Sequence, residues 1–463
     1  MRKRYIVTAT PPTPNGDFHV GHLAGPYLGA DLFARFQRMR GNDVVYVSSS
    51  DRNQSYVVTT AERLGIAPER LASDCHREMV KTLAAGRISV DAFNAPDTAH
   101  RAMIEAFFSK LEARGHVKRK TRCTPYSPGE GRHLFESYLS GFCPTCWAAT
   151  AGAICETCGH PNDAGSLELP AARSGGAIEF VETEVAVLEL ESFRERFETF
   201  YAEKRGQWRP HLMEFVEEML ARPLPDYPLT YLSQWGIPAP FPGLKGQVLN
   251  VWAEMLPGLM NSTHEACKAA NQHVEKGLAF WHKDDGAELV QFIGYDNAFF
   301  FAFVHLALTW GVGETITPDA IVTNEFFELN NFKFSTSKNH LIWARELLKE
   351  RDVDQVRFYL ALANPEHQKM NFTWAAMDML VETKFSGPVA AALHVLAGAL
   401  DNFPEASKRF ELNASIALRL DEALARFARF YAWESFSPQR VAEHLTQLLT
   451  RIEAGAKGPS GDK

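Results

Sequence analysis

A chain of 463 residues, 46% hydrophobic and 22% charged, has the balance of a globular protein of about three domains, which excludes disordered, collagen-like and low-complexity classes. Its net charge of -8 gives no overall positive field, so a nucleic-acid partner would need a local basic patch. No stretch approaches the ~20 apolar residues of a membrane span, and Tyr5-Ile6-Val7 is too short a run for a secretory leader, so a cytoplasmic protein without a membrane partner is expected.

In chain order, residues 4–10 read as a strand, Pro11 to Gly16 as a loop, Leu23 to Met39 as an amphipathic helix ended by Gly41-Asn42, and Val44 to Ser48 as a second strand. This is a βαβ unit of a parallel sheet. Helical patterns cover Ala61 to Arg87 and Thr98 to Gly115, after which Pro, Gly, Cys and aromatic residues dominate to about residue 175 and mark an insertion. Phe193 to Leu220 reads as helix, and Val248 to Trp252, Leu289 to Ile293 and Ala320 to Thr323 as buried strands of a second α/β half. From Ala376 to Glu453 the pattern is helical, with Leu393, Val395, Leu396, Leu400, Leu418, Phe427, Phe430, Leu445 and Leu448 expected to form the core of a small bundle. No internal repeat is present.

His19-Val20-Gly21-His22 follows the first strand and its loop. Two imidazoles three positions apart share a helical face at the positive end of the dipole, and Gly21 removes a side chain that would block a ligand across the turn, so the place suits a triphosphate; two capping histidines are the plainer alternative. Cys143, Cys146, Cys155 and Cys158 form two CxxC turns with eight residues between them. Four thiolates at this spacing close a tetrahedron around zinc at ~2.3 Å per bond, a structural site with no open position, against unligated buried cysteines. Cys75, Cys123 and Cys267 read as small buried apolar residues, and seven cysteines without a disulfide pattern fit a reducing compartment.

With these motifs in order, the chain resembles the class I aminoacyl-tRNA synthetases, and among them the methionyl-tRNA synthetase branch. The resemblance runs from Tyr5 to about residue 375 through His19-Val20-Gly21-His22, Arg38-Met39-Arg40-Gly41, the cysteine knuckle, Val251-Trp252, Phe292-Ile293-Gly294-Tyr295-Asp296 and Lys333-Phe334-Ser335-Thr336-Ser337. It implies an α/β fold: a Rossmann-like (HUP-type) parallel-sheet catalytic domain with a zinc-knuckle connective insert and a C-terminal α-helical bundle. The expected divisions are 1–115 and 226–320 for the two halves of the catalytic domain, 116–225 for the insert, 321–375 for the KMSKS-like loop and stem-contact region, and 376–463 for a shortened bundle.

The resemblance also implies a reaction, ATP-dependent adenylation of an amino acid, with ATP entering as its Mg2+ complex. Catalysis then rests on stabilising charge on phosphate oxygens, a task assigned to His19, His22 and Lys333. Thr336 stands where the family has a second lysine, and Lys338 is the candidate substitute. Asn15, Gly21, Gly294, Asp296, Ser335 and Ser337 are expected to bind ATP, with Asp296 on the ribose; a helix N-cap is the alternative for Asp296. Asp51 matches the carboxylate that receives the substrate α-ammonium.

The amino-acid pocket is expected from Pro11, Thr13, Asp51, Trp252, Met255, Leu259, Asn297, Phe301 and His305. Several departures stand there: Thr13 replaces a tyrosine, Met255 and Leu256 an alanine and a proline, Leu259 a tyrosine, Phe301 a histidine and His305 a tryptophan, while Trp252 is kept. After residue 375 about 88 residues remain, with 10 Lys/Arg against 11 Asp/Glu, so no net cationic charge favours RNA. The rebuilt pocket and short tail favour acyl transfer to a small-molecule nucleophile, as in the synthetase-like halves of hydrazine-forming enzymes, with a partner protein or fused domain carrying the next step. A methionyl-tRNA synthetase that charges tRNA, and a catalytically silent amino-acid- or RNA-binding paralogue, are the alternatives.

Overall fold

The computed structural model describes residues 2–270, 280–334, 340–402 and 414–456. The chain divides into two compact units, one of Met1–Asp17, Gln37–Leu83 and Ser89–Thr323, the other of Phe18–Phe36, Ala84–Ile88 and Asn324–Lys463.

The first unit is built on a five-stranded sheet. Its strands are β1 (Arg4–Ala9), β2 (Asp43–Ser49), β3 (Ala92–Asn94), β4 (Glu288–Gly294) and β5 (Ala320–Asn324), in the spatial order β5-β4-β1-β2-β3. β1 pairs in parallel with β4, Tyr5 opposite Glu288, and with β2, Tyr5 opposite Val44; β2 pairs in parallel with β3. A parallel strand covered on both faces needs a continuous apolar run, and Tyr5, Ile6, Val7, Thr8 and Ala9 are all buried. The carboxyl ends of β1, β2 and β4 carry the loop from Thr10, Asp51 and Gly294, which is where open α/β sheets place ligands. The β1 loop is tied to its neighbours: Thr10 N–H donates to Phe292 O at 3.1 Å and Asp51 N–H to Pro12 O at 2.8 Å.

Between β3 and β4 the insert pairs Val117–Ser127 antiparallel with Glu179–Glu189, and short strands at Leu139–Phe142, Ala149–Thr150 and Glu168–Ala172 frame the cysteine turns. The second unit contains the turn Val20–His22, a strand Phe327–Leu329 paired in parallel with Met370–Phe372 and antiparallel with Phe332–Lys333, and helices at Ala344–Glu350, Val353–Leu362, Trp374–Val381, Gly387–Asn402, Ala414–Phe430 and Pro438–Ala456.

Several sequence expectations are corrected. Val248 to Trp252 is not a strand of the parallel sheet: only Gln247–Leu249 is extended, antiparallel to Thr230–Leu232, because Asn250 caps a helix over Val251–Ala269 through its side-chain oxygen, which accepts from Trp252 N–H at 3.1 Å. The helix expected over Leu23 to Met39 begins as a π stretch, Leu23–Tyr27, where Pro26 lacks an N–H and Gly25 has ψ -115; the regular helix is Leu28–Met39. Gly65, at φ 66, separates Ser55–Leu64 from Pro68–Ala85, and Gly206, at φ 76, and Pro210 split the expected helix at Phe193 to Leu220 into Arg194–Lys204 and Pro210–Leu220. In the C-terminal helices Leu393, Leu396 and Leu418 are exposed rather than core. The apolar pattern there is wider than the buried stripe that Ala392, Ala423, Val441 and Ala442 form. Cys123 is likewise exposed.

Candidate functional site

The first unit gathers three buried carboxylates. Asp51, Glu136 and Glu254 are 5%, 2% and 4% exposed. Three consecutive residues at the start of one helix each hold a different one: Asn53 Nδ2 donates to Glu254 Oε1 at 2.6 Å, Gln54 Nε2 to Asp51 Oδ2 at 2.6 Å and Ser55 Oγ to Glu136 Oε2 at 3.0 Å. Burial pushes the Asp51 carboxyl well above its ordinary range, and the charges of Glu254 and Glu136 add to the shift. Burial raises Glu136 as well. A cation beside Asp51 would favour its ionised form and so oppose both shifts.

Trp252 is gripped at three points. Its Nε1–H donates to Glu136 Oε1 at 2.7 Å, its carbonyl meets His305 Nε2 at 2.8 Å, and its ring stacks on Phe300 with centroids 4.2 Å apart. Met255, Leu259, Phe301 and His305 are buried, and the rings of Phe301 and His305 lie 4.5 Å apart on the π-helical stretch Phe300–His305. Burial lowers the His305 imidazole to about 4, so it is neutral at physiological pH. Pro11 is buried, and Thr13 and Asn15 are half-buried on the β1 loop, where Asn15 N–H donates to Thr13 O at 2.9 Å.

Gly294 ends β4, and a Cβ there would lie 2.5 Å from Asp296 Oδ1, so only glycine lets that carboxylate fold back over the strand end. Asn297 Nδ2 donates to the same oxygen at 2.9 Å. Asp296 lies inside the short turn Tyr295–Asn297, whose N-cap is Gly294, so it is not the cap.

The cysteine knuckle adjoins this element. The Sγ atoms of Cys143, Cys146, Cys155 and Cys158 all lie within 4.8 Å of one another, with Cys143 to Cys158 at 3.8 Å and Cys146 to Cys155 at 3.6 Å. Four sulfurs ~2.3 Å from a tetrahedral centre are spaced by roughly 3.8 Å, so the donor set fits a metal ion. Gly159, at φ 76, follows the last cysteine; a Cβ there would meet Tyr295 Oη at 3.2 Å, and His211 stacks on the Tyr295 ring at 3.7 Å.

In the second unit the two imidazoles of the opening motif meet. His19 and His22 stack with centroids 3.8 Å apart, and Phe334 stacks beside His19 at 5.1 Å and 8°. His19 N–H donates to His22 Nδ1 at 3.2 Å, which leaves the His22 proton on Nε2, and burial lowers this imidazole to about 4. A neutral ring with a fixed N–H is a hydrogen-bond donor that needs no charge. The backbone on both sides of this motif is pinned, Val20 N–H donating to Ile342 O at 3.0 Å and Ala344 N–H to Phe18 O at 2.8 Å. A Cβ at Gly21 would lie 3.0 Å from the His19 ring, so the glycine makes room for that imidazole. Lys333 ends the strand Phe332–Lys333, one residue before Phe334; Ser335, Thr336, Ser337 and Lys338 lie outside the described residues.

Residues 5–393 match the family tRNA synthetases class I (M). The chain belongs to the class I aminoacyl-tRNA synthetases, in the methionyl branch. It is 33% identical over 401 residues to the methionine–tRNA ligase of Rubrobacter xylanophilus, covering 83% of this chain and 69% of that protein. It is 32% identical over 451 residues to that of Thermobifida fusca, covering 92% and 73%. A Mycobacterium tuberculosis methionyl-tRNA synthetase in complex with methionyl-adenylate shares the fold at a TM-score of 0.75 and 20% identity, over 97% of this chain and 82% of that one. The synthetase is therefore a ligase of the aminoacyl-adenylate-forming class. No described helix is long and apolar enough to cross a membrane.

No motif in the sequence marks Glu136, Glu254, Asn53, Gln54 or Ser55. Glu254 lies two residues after Trp252, but Glu136 is an isolated acid upstream of the knuckle, and only the folded insert brings it to Trp252.

Proposed function

We propose that this synthetase activates an amino acid with ATP and transfers it to tRNA, the reaction type of the methionyl branch. The observation that carries the reading is the ring stack of His22, His19 and Phe334, which joins the HVGH motif to the segment that begins the KMSKS-like loop. In the first step a carboxylate oxygen of the amino acid attacks the α-phosphorus of ATP; the new O–P bond forms as the bond to pyrophosphate breaks. Asp51 receives the α-ammonium, His22 Nε2–H and His19 face phosphate oxygens, Asp296 holds the ribose, and Lys333 with Lys338 neutralises the departing pyrophosphate. Mg2+ enters with ATP. In the second step a hydroxyl of the acceptor attacks the acyl carbon and AMP leaves. Cys143, Cys146, Cys155 and Cys158 would hold a zinc ion that stiffens the insert and takes no part in the reaction.

The methionine–tRNA ligases among its relatives support tRNA as the acceptor and the cytoplasm as the place of action. A second reading, transfer to a small-molecule nucleophile, is favoured by the rebuilt pocket walls Met255, Leu259, Phe301 and His305, with a partner protein or fused domain carrying the next step. Bulk tRNA and hydroxylamine, offered separately to enzyme, ATP and the activated amino acid, distinguish the two. Acid-precipitable aminoacyl-tRNA supports the first reading; hydroxamate formation with uncharged tRNA supports the second.

A further inference from the structure

The Trp252 carbonyl can only accept a hydrogen bond, so His305 Nε2, 2.8 Å away, must be the protonated nitrogen. The imidazole is neutral, because burial lowers it to about 4. Nδ1 is then a bare acceptor. It has no hydrogen-bond partner among the described residues, on a side chain only 2% exposed. Asn297 repeats the pattern: its amide nitrogen is spent on Asp296, and Oδ1, on a residue 8% exposed, has no partner. Phe301, one turn before His305 on the same π-helical stretch, packs its ring 4.5 Å from the imidazole. Two more unpartnered atoms beside the carboxylates, Gln54 Oε1 and Glu254 Oε2, are also acceptors.

We infer that the amino acid activated by this enzyme carries a hydrogen-bond donor on its side chain, a hydroxyl, amide or amine, received by His305 Nδ1. The inference rests on the adenylation reading and names its substrate class. Methionine has no such donor and would leave that acceptor bare. A site built to hydrogen-bond a substrate group rejects the analogue that lacks it far more strongly than an apolar pocket rejects a change of shape.

The test is amino-acid-dependent exchange of labelled pyrophosphate into ATP, run on matched pairs: threonine with valine, serine with alanine, glutamine with methionine, lysine with norleucine. One donor-bearing member should exceed its partner by on the order of 10²-fold or more in kcat/KM. His305→Phe keeps a ring but removes the acceptor and should cut that preference at least tenfold, whereas His305→Asn, which restores an oxygen near the Nδ1 position, should recover part of it. A preference for methionine, norleucine or valine over their partners overturns the inference and leaves adenylation standing. If no amino acid supports exchange, adenylation fails, and calorimetric binding of the same pairs without ATP decides the inference: tighter binding of the donor-bearing member upholds it and equal binding overturns it.

Discussion

The rings of His19 and Phe334 stack in parallel, 5.1 Å apart, although 315 positions separate them in sequence. Phe334 follows Lys333 directly, so the stack fixes where the chain leaves toward the phosphate loop. Phe334→Ala should lower kcat of pyrophosphate exchange roughly tenfold with little change in the KM for the amino acid, since misplacing a reacting group costs rate before it costs binding. Phe334→Trp should retain most of the rate. Equal kcat in Phe334→Ala and the wild type would show that the stack positions nothing.

Asp51 is held above its ordinary value of 3.8 chiefly by burial, then by Glu254 and Glu136. It must be ionised to receive an ammonium, so kcat/KM for the amino acid should fall as pH drops, with a midpoint above the usual carboxylate range. Asp51→Asn should raise the KM for the amino acid about 100-fold, by loss of a buried charge-assisted contact, and should remove that acid limb. The KM for ATP should change little. Survival of the limb in Asp51→Asn would assign it to another group.

His305 titrates near 4 in the folded chain against 6.5 when unfolded, so the unfolded state takes up the proton first. Its contribution to stability is complete above about pH 6.5 and is lost as pH falls toward 4, on the order of 3 kcal/mol in all. Asp51 and Glu136, both raised, act in the opposite sense: their folded forms hold protons longer, so they lose stability as pH rises through the acid range. The measurement is therefore a difference. Urea unfolding of wild type and His305→Asn at pH 5 and pH 7.5 should show a smaller pH effect in the variant, and identical pH slopes would contradict a buried neutral imidazole.

The knuckle touches Tyr295 through Gly159, and Tyr295 precedes Asp296. Metal analysis should find one zinc per chain. Cys146→Ser should lose it, expose the insert to proteolysis and raise the KM for ATP several-fold more than that for the amino acid. A metal-free variant with wild-type KM values would sever that link.

Lys333→Ala should lower the exchange rate at least about 100-fold, as expected for a cation that acts on developing phosphate charge. Lys338→Ala tests whether this lysine serves for the one replaced by Thr336; a loss within threefold of wild type would show that it does not.

The central sheet was legible because buried parallel strands such as Tyr5 to Ala9 and Leu289 to Ile293 are unbroken apolar runs. The helix at Val251 was not, because Val248 to Trp252 has the same apolar look and only the Asn250 cap turns it. The cysteine grouping was legible from its spacing, whereas Asp51 stands out only by its match to the carboxylate of the resembled family. Glu136 was not legible, since its role depends on a contact with Trp252 across 116 residues. The bundle's core is illegible for a related reason: an apolar pattern gives a helix but does not say which leucines find a neighbour, and Leu393 is 61% exposed.

The most direct test of the account is isolation of the intermediate. Enzyme incubated with ATP labelled at the α-phosphate and with an amino acid that supports exchange, with no acceptor present, should retain a labelled aminoacyl-AMP through gel filtration, identifiable by mass, and His22→Ala should retain little. If that amino acid leaves only free AMP or unchanged ATP, with no acyl-phosphate species on the enzyme, the account is wrong.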